Sequence, residues 1–230
     1  MSPTDPNVEM IEYIAAALGE KLSQFTFVGG CAAGLLITDD ERTAIRATND
    51  VDLIVEVSSL GDYYERLAPE LRSAGFNESG EVTCRWIFNG VKVDVMPTDP
   101  AILSFSNEWY EEAVRSAQRI TLPSGITIRI ISAPLLLLTK IAAFHGRGNG
   151  DFQGSHDLED LIAVVDGRPE IVNEVLGADE TTREALEDEI LALLGSEQFT
   201  SSIGYHLRPD QASQGRKAVV IGRLREIAGI

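Results

Sequence analysis

Cysteine is scarce in this chain. Cys31 and Cys84 are its only two among 230 residues. Two such thiols make neither a disulfide framework nor a zinc-ligand spacing, and they read as reduced thiols of a cytoplasmic protein. Of three histidines, His145 and His206 stand alone in the sequence and read as structural or surface residues. Long apolar runs are missing, and none reaches the roughly 18 residues of a membrane span. The stretch Met1-Ser2-Pro3-Thr4-Asp5-Pro6 is polar and has no basic segment ahead of an apolar one, so no secretory leader is expected. Positive charge is short as well. Against 36 Asp and Glu there are 19 Lys and Arg, a net charge of −17. That balance argues against a broad nucleic-acid-binding surface, which is normally basic, and leaves room only for a local basic pocket. Internal repeats and low-complexity linkers are absent too.

What is present is enough apolar material, 44% of residues, for a full core. The length suits one large domain or a core domain with a second lobe. The acidity gathers late, over Glu170 to Glu197, and reads as solvated helix faces. Val8 to Leu22 carries helical spacing through Ile11, Ile14, Leu18 and Leu22. Phe25 to Val28 reads as a strand stopped by Gly29-Gly30, and Cys31 to Leu36 as the start of a buried helix. Residues 38–49 are polar and read as a loop or helix end. Asp50 to Val57 reads as a strand, and Leu60 to Ala74 as a helix ended by Gly75. Thr83 to Phe88 and Val91 to Met96 flank Asn89-Gly90, the strongest short signal for a hairpin. Ile126 to Ile131 is a further strand candidate after Pro123-Ser124-Gly125. Beyond Ser132-Ala133-Pro134 helices dominate: Leu135 to Phe144, Asp157 to Val165, Pro169 to Leu176, Thr181 to Leu194 and Gln211 to Ile227. The expected fold is α/β (α+β): a mixed-sheet lobe over 1–131 flanked by helices, then a helical lobe over 132–230.

The chemistry gathers at acidic residues. Side chains alternate along a strand, so Asp50 and Asp52 point the same way at the head of an apolar run. Burying them beside Leu53-Ile54-Val55 without a cation is costly. Asp94 lies on the second arm of the expected hairpin, between Val93 and Val95, with Lys92 on its own face as a candidate partner. If the two runs pair as neighbours, three carboxylates converge on one face, a donor set suited to Mg²⁺ or Mn²⁺. Gly29-Gly30, between a strand and a helix, presents bare backbone N–H groups to which an anion can come close.

Strand, Gly29-Gly30, helix, then Arg46-x-Thr48-x-Asp50-Val51-Asp52-Leu53 and a later strand with Asp94, is an order that resembles the nucleotidyltransferase superfamily of DNA polymerase β. The branch it looks like most is the minimal prokaryotic one that includes the AbiEii-like toxin nucleotidyltransferases. The likeness runs from about Phe25 to Ile162. It includes the helix from Pro134 through Lys140 to Arg147, similar to the family's Pro…Leu-x-x-Lys-x-x-Ala-x-x-x-Arg helix. It also includes His156-Asp157-Leu158-Glu159-Asp160-Leu161, which resembles the family's Lys-Asp-φ-x-Asp-φ segment. Departures are Gly30 where a serine is usual, His156 where a lysine or arginine is common, and a charged insert, Thr38 to Asn49, between Gly30 and Asp50.

The resemblance implies Asp50, Asp52 and Asp94 as ligands of Mg²⁺ (or Mn²⁺), with Asp94 also as base. It implies Gly29, Gly30, Arg46, Thr48, Lys140 and Arg147 as contacts to a nucleoside triphosphate, with Lys140 facing the leaving pyrophosphate. Asp157 matches an essential position of toxin relatives. The reaction implied moves a nucleoside monophosphate to an acceptor hydroxyl on RNA, protein or a small molecule. The acidic surface makes RNA the least comfortable acceptor, although Lys92, Arg42, Arg46, Lys140 and Arg147 could line a basic channel. A rival expectation is a catalytically silent nucleotide- or partner-binding protein of the same fold. Another is a toxin of a toxin–antitoxin pair, held by an antitoxin protein through the apolar helix Val219 to Ile230.

Overall fold

The computed structural model describes residues 5–39, 45–103 and 107–230. The architecture is mixed α/β, with a seven-stranded sheet flanked by helices and a helical C-terminal region. The chain divides into two compact units. Among the described residues, one comprises 5–32, 47–103 and 107–132; the other comprises 33–39, 45–46 and 133–230.

The first unit holds the whole sheet. Its strands are β1 (Phe25–Val28), β2 (Asp50–Val55), β3 (Asn77–Glu78), β4 (Arg85–Phe88), β5 (Val91–Pro97), β6 (Gln118–Thr121) and β7 (Thr127–Ile130). Their order is β3-β4-β5-β2-β1-β7-β6, with β2/β5 and β1/β7 parallel and the other neighbours antiparallel. Asn89 and Gly90 take φ of 47° and 89°, the left-handed pair a two-residue hairpin needs. The turn therefore closes β4 onto β5 as the Asn-Gly signal indicates. Between β2 and β3, residues 60–73 run as a helix whose middle, Tyr63–Leu67, is π-helical. The Tyr63 hydroxyl donates to the Val95 carbonyl at 3.1 Å and accepts from Trp86 Nε1 at 3.4 Å, so the bulky buried rings arrive with their polar atoms satisfied. Burial holds the Tyr63 phenol up at about 12. Phe25, Phe27, Val51, Leu53, Val93, Val95 and Trp86 are all at most 1% exposed. They alternate with the acid-bearing positions, so the aspartates lie on the opposite sheet face, where Thr26, Val28 and Ile54 are also buried and only the end that carries the acids is half-buried.

Two sequence expectations shift in this unit. The first helix stops at Leu18, and Gly19 to Gln24 continues as a 3₁₀ turn, because Gly19 adopts φ of 53°. Strand β6 is an addition to the expected strands. It is short and exposed and lacks a continuous apolar run, yet the Pro123-Ser124-Gly125 turn folds it onto β7.

The second unit is helical. Helix Ala133–Arg147 has ten buried residues, packs on His156–Gly167 and on Glu180–Leu194, and begins with Pro134 in its first turn. The expected helix over Gln211 to Ile227 is two helices, Gln211–Gly215 and Lys217–Ile227, meeting at Arg216. Arg216 binds Asp166 Oδ1 and Asp39 Oδ2, each at 2.6 Å. Val220, Leu224 and Ile227 are buried against the helices of their own unit, whereas Val219 and Ile230 at the two ends of that segment are exposed. Arg42 and most of the Thr38 to Asn49 insert's charge lie outside the described residues. No helix among the described residues is long and apolar enough to cross a membrane.

Candidate functional site

Register brings the acids together. Strands β2 and β5 pair in parallel with Asp50 opposite Lys92 and Asp52 opposite Asp94. Paired residues share a sheet face, so all three aspartates lie on the same side. One ligand oxygen from each lies within 4.8 Å of the others, and all three residues are half-buried. Such hard oxygen donors at partial burial suit a divalent cation of the Mg²⁺ or Mn²⁺ type.

The backbone around the triad is shaped for it. Gly29 follows β1 with φ of 70°, and a Cβ placed there would lie 1.9 Å from Asp52 Oδ2. The Asp52 carboxylate thus occupies the space that any other residue at position 29 would need. Gly30 continues into the short helix Gly29–Ala33. On the other flank, buried Asn7 accepts the Thr48 N–H at 2.9 Å, and the Thr48 hydroxyl donates to the Asp50 carbonyl at 3.1 Å. Thr48 here braces the strand entrance that carries Asp50.

The partner of Asp94 is Arg85, not Lys92. Across the β4/β5 hairpin Arg85 stands directly opposite Asp94. Its Nε and Nη2 donate to the two carboxylate oxygens, both at 2.7 Å. The hydrogen bond to Asp94 holds the guanidinium well above its ordinary value. Lys92 is exposed and registers with Asp50. The place of Arg85 is legible in the sequence. A two-residue turn at Asn89-Gly90 pairs 88 with 91, and counting back places 85 opposite 94. Cys84, beside it, is buried, and burial with the nearby Asp94 charge pushes its thiol up to about 11, which leaves it inert.

The helical unit holds the remaining candidates in one charge network. Lys140, 6% exposed, lies 2.6 Å from Asp160 Oδ2 and 3.2 Å from Asp157 Oδ1. Arg147 forks onto Asp157 at 3.0 and 2.9 Å. Arg46 reaches both Asp160 oxygens at 3.3 and 3.2 Å and Glu159 at 3.3 Å. Helical spacing explains the convergence. Lys140 and Arg147 are seven apart on one helix and Asp157 and Asp160 three apart on another, so each pair shares a face. Burial raises Asp157, but the Arg147 hydrogen bonds and the Lys140 charge outweigh it and hold the carboxyl below its ordinary value. The cap of that helix is Ser155, whose hydroxyl accepts from Leu158 N. His206 is buried and donates from Nε2 to the Phe152 carbonyl at 2.8 Å, and His145 is exposed beside Glu189. Both have structural partners.

Neither protein-family models nor curated proteins give a match to this chain.

Proposed function

We propose that the sheet unit carries a metal-dependent nucleotidyl-transfer centre. In this reading Asp50, Asp52 and Asp94 hold Mg²⁺ or Mn²⁺, and a nucleoside monophosphate moves from a nucleoside triphosphate to an acceptor hydroxyl. The observation that supports it is the in-register pairing of two acid-bearing strands, which brings three carboxylate oxygens within 4.8 Å of one another beside a glycine that admits no side chain. In the transfer, the acceptor oxygen attacks the α-phosphorus and its proton passes to a carboxylate, with Asp94 the candidate. The bond from the α-phosphorus to the bridging oxygen breaks, and pyrophosphate leaves. A bound divalent cation supplies Lewis acidity at the phosphate oxygens and lowers the pKa of the acceptor hydroxyl.

Gly29, half-buried at the same strand end, leaves bare backbone that a phosphate can approach, whereas Gly30 behind it is buried. Lys140, Arg147 and Arg46 serve as phosphate contacts only if a phosphate replaces Asp157 or Asp160 as their partner, so those roles call for an exchange of anions inside the helical unit. The acceptor is RNA, protein or a small molecule. A toxin held by an antitoxin in the cytoplasm is the physiological setting the resemblance suggests.

One observation favours a second reading, a catalytically silent nucleotide- or partner-binding protein. Arg85 already satisfies both oxygens of Asp94. Transfer of label from each of four α-labelled nucleoside triphosphates, with Mg²⁺ or Mn²⁺, into total RNA and into the protein separates the two. Label that requires both the metal and Asp52, judged against Asp52→Ala, supports transfer, and its carrier names the acceptor. Metal-dependent nucleotide binding without label above the variant supports the silent protein or a small-molecule acceptor.

A further inference from the structure

The Arg85–Asp94 pair bears directly on how the triad takes up its cation, a role that rests on the reading of the triad as a divalent-cation site. Strand register sets Arg85, Asp94 and Asp52 in one row across β4, β5 and β2. Two carboxylates directly opposite on neighbouring strands repel each other. Arg85 flanks that pair from the far side and donates one N–H to each Asp94 oxygen, both at 2.7 Å, in the fork geometry that makes guanidinium–carboxylate pairs strong and directional. Its side chain is 20% exposed and that of Asp94 13%, so solvent screens the pair only in part. A cation that approaches Asp94 meets a carboxylate whose two oxygens are both engaged.

We propose that Arg85 is a positioning residue that competes with the divalent cation for Asp94. It holds the carboxylate in the metal-free protein and yields at least one oxygen when the ion binds. It relieves the Asp52–Asp94 repulsion while no ion is present, and it weakens the site for the ion in return. Loss of Arg85 therefore acts in opposite directions on two properties. The metal-free fold becomes less stable, because the fork onto Asp94 is lost. The cation binds more tightly, because a competitor and a positive charge have both gone. A merely structural arginine moves the first property and leaves the second alone or weakens it.

The test is a Mn²⁺ titration of the full chain, read by the spin-resonance signal of free Mn²⁺ and by calorimetry. The proteins are wild type, Arg85→Gln, Arg85→Lys, Asp94→Asn and the Arg85→Gln/Asp94→Asn double variant. The expected result is binding about tenfold tighter in Arg85→Gln with a lowered metal-free melting temperature, and an intermediate affinity in Arg85→Lys, which keeps the charge but loses the fork. In the Asp94→Asn background, the gain from Arg85→Gln should be clearly smaller, because only the loss of positive charge remains and the competition has no object. Wild-type binding with an equal or weaker Arg85→Gln overturns the competition alone. An undiminished gain in the Asp94→Asn background also overturns it. Binding by Arg85→Gln where wild type binds none supports it. No binding by any variant at millimolar Mn²⁺ overturns the cation reading of the triad and the competition together. If Arg85→Gln fails to fold, Arg85→Lys decides by the same criterion.

Discussion

Two acid clusters lie in the two units, and they are built on opposite plans. In the sheet unit, three aspartates meet on one face and, among the described residues, Arg85 lies across one of them. In the helical unit, Asp157, Asp160 and Glu159 interleave with Arg147, Lys140 and Arg46, each acid touching at least one cation. Asp157, Asp160 and Lys140 of the second cluster are buried, and burial demands such pairing, since an uncompensated buried charge costs several kcal/mol. The first is half-buried and keeps its oxygens convergent. Convergent like charges suit a ligand, whereas alternating charges suit an architecture. The contrast separates residues that the resemblance alone treats as one set.

The comparison can be broken most severely from the helical side. Lys140→Met strips Asp157 and Asp160 of their shared cation and should cost about 3 kcal/mol in urea unfolding, with Arg147 and Arg46 limiting the loss. A cost under about 1 kcal/mol would show that the network is not structural. Next in size is Gly29→Ala. The added methyl would overlap Asp52 and sit at a strained φ, so about 2–3 kcal/mol of stability should go, and Mn²⁺ binding with it. Unchanged Mn²⁺ affinity in a folded Gly29→Ala protein would remove Asp52 from the ion's ligands. Smaller again is the effect of the cation. At about ten times its dissociation constant, Mg²⁺ or Mn²⁺ should stabilise the wild type by about 1.4 kcal/mol and Asp52→Asn by almost nothing. Equal stabilisation of both would place the ion elsewhere.

The smallest effect is the pH dependence of the paired cluster. Asp157 titrates below its ordinary 3.8 in the folded protein. Its contribution is complete above that ordinary value and is lost as pH falls through the lower folded one. The stability difference between wild type and Asp157→Asn should therefore hold constant near neutrality and shrink as pH falls below the ordinary 3.8. A difference that instead grows toward acid would reverse the assigned direction.

The acidic site is legible in the sequence because its geometry is local. Asp50 and Asp52 share a face by strand period alone, and Asn89-Gly90 announces the hairpin that carries Asp94. The β2/β5 pairing that joins them is a contact between distant segments, which the pattern allows but does not dictate. The turn determines the place of Arg85, yet Lys92, two residues from Asp94 on the same strand, is the nearer cation along the chain and masks it. The helical network is harder to read. Spacing puts Lys140 with Arg147 and Asp157 with Asp160, but which helix faces meet is decided by packing over the whole unit. Strand β6 is hidden because an exposed, short strand leaves no apolar trace. The break at Arg216 is hidden because its cause is a long-range ion pair to Asp166 and Asp39.

The Asn89-Gly90 turn carries one more consequence. A two-residue hairpin is a ruler: it fixes that the residue four before the turn faces the residue four after it. The identity of the side chain set against Asp94 is thus written as a distance along the chain, not as a shape. A slip of one arm by one residue would leave both strands able to pair, yet it would bring Trp86 or Cys84 to that place, depending on which arm slips. Among chains built on this hairpin, those whose register is shifted should carry their arginine at a correspondingly shifted position or dispense with it.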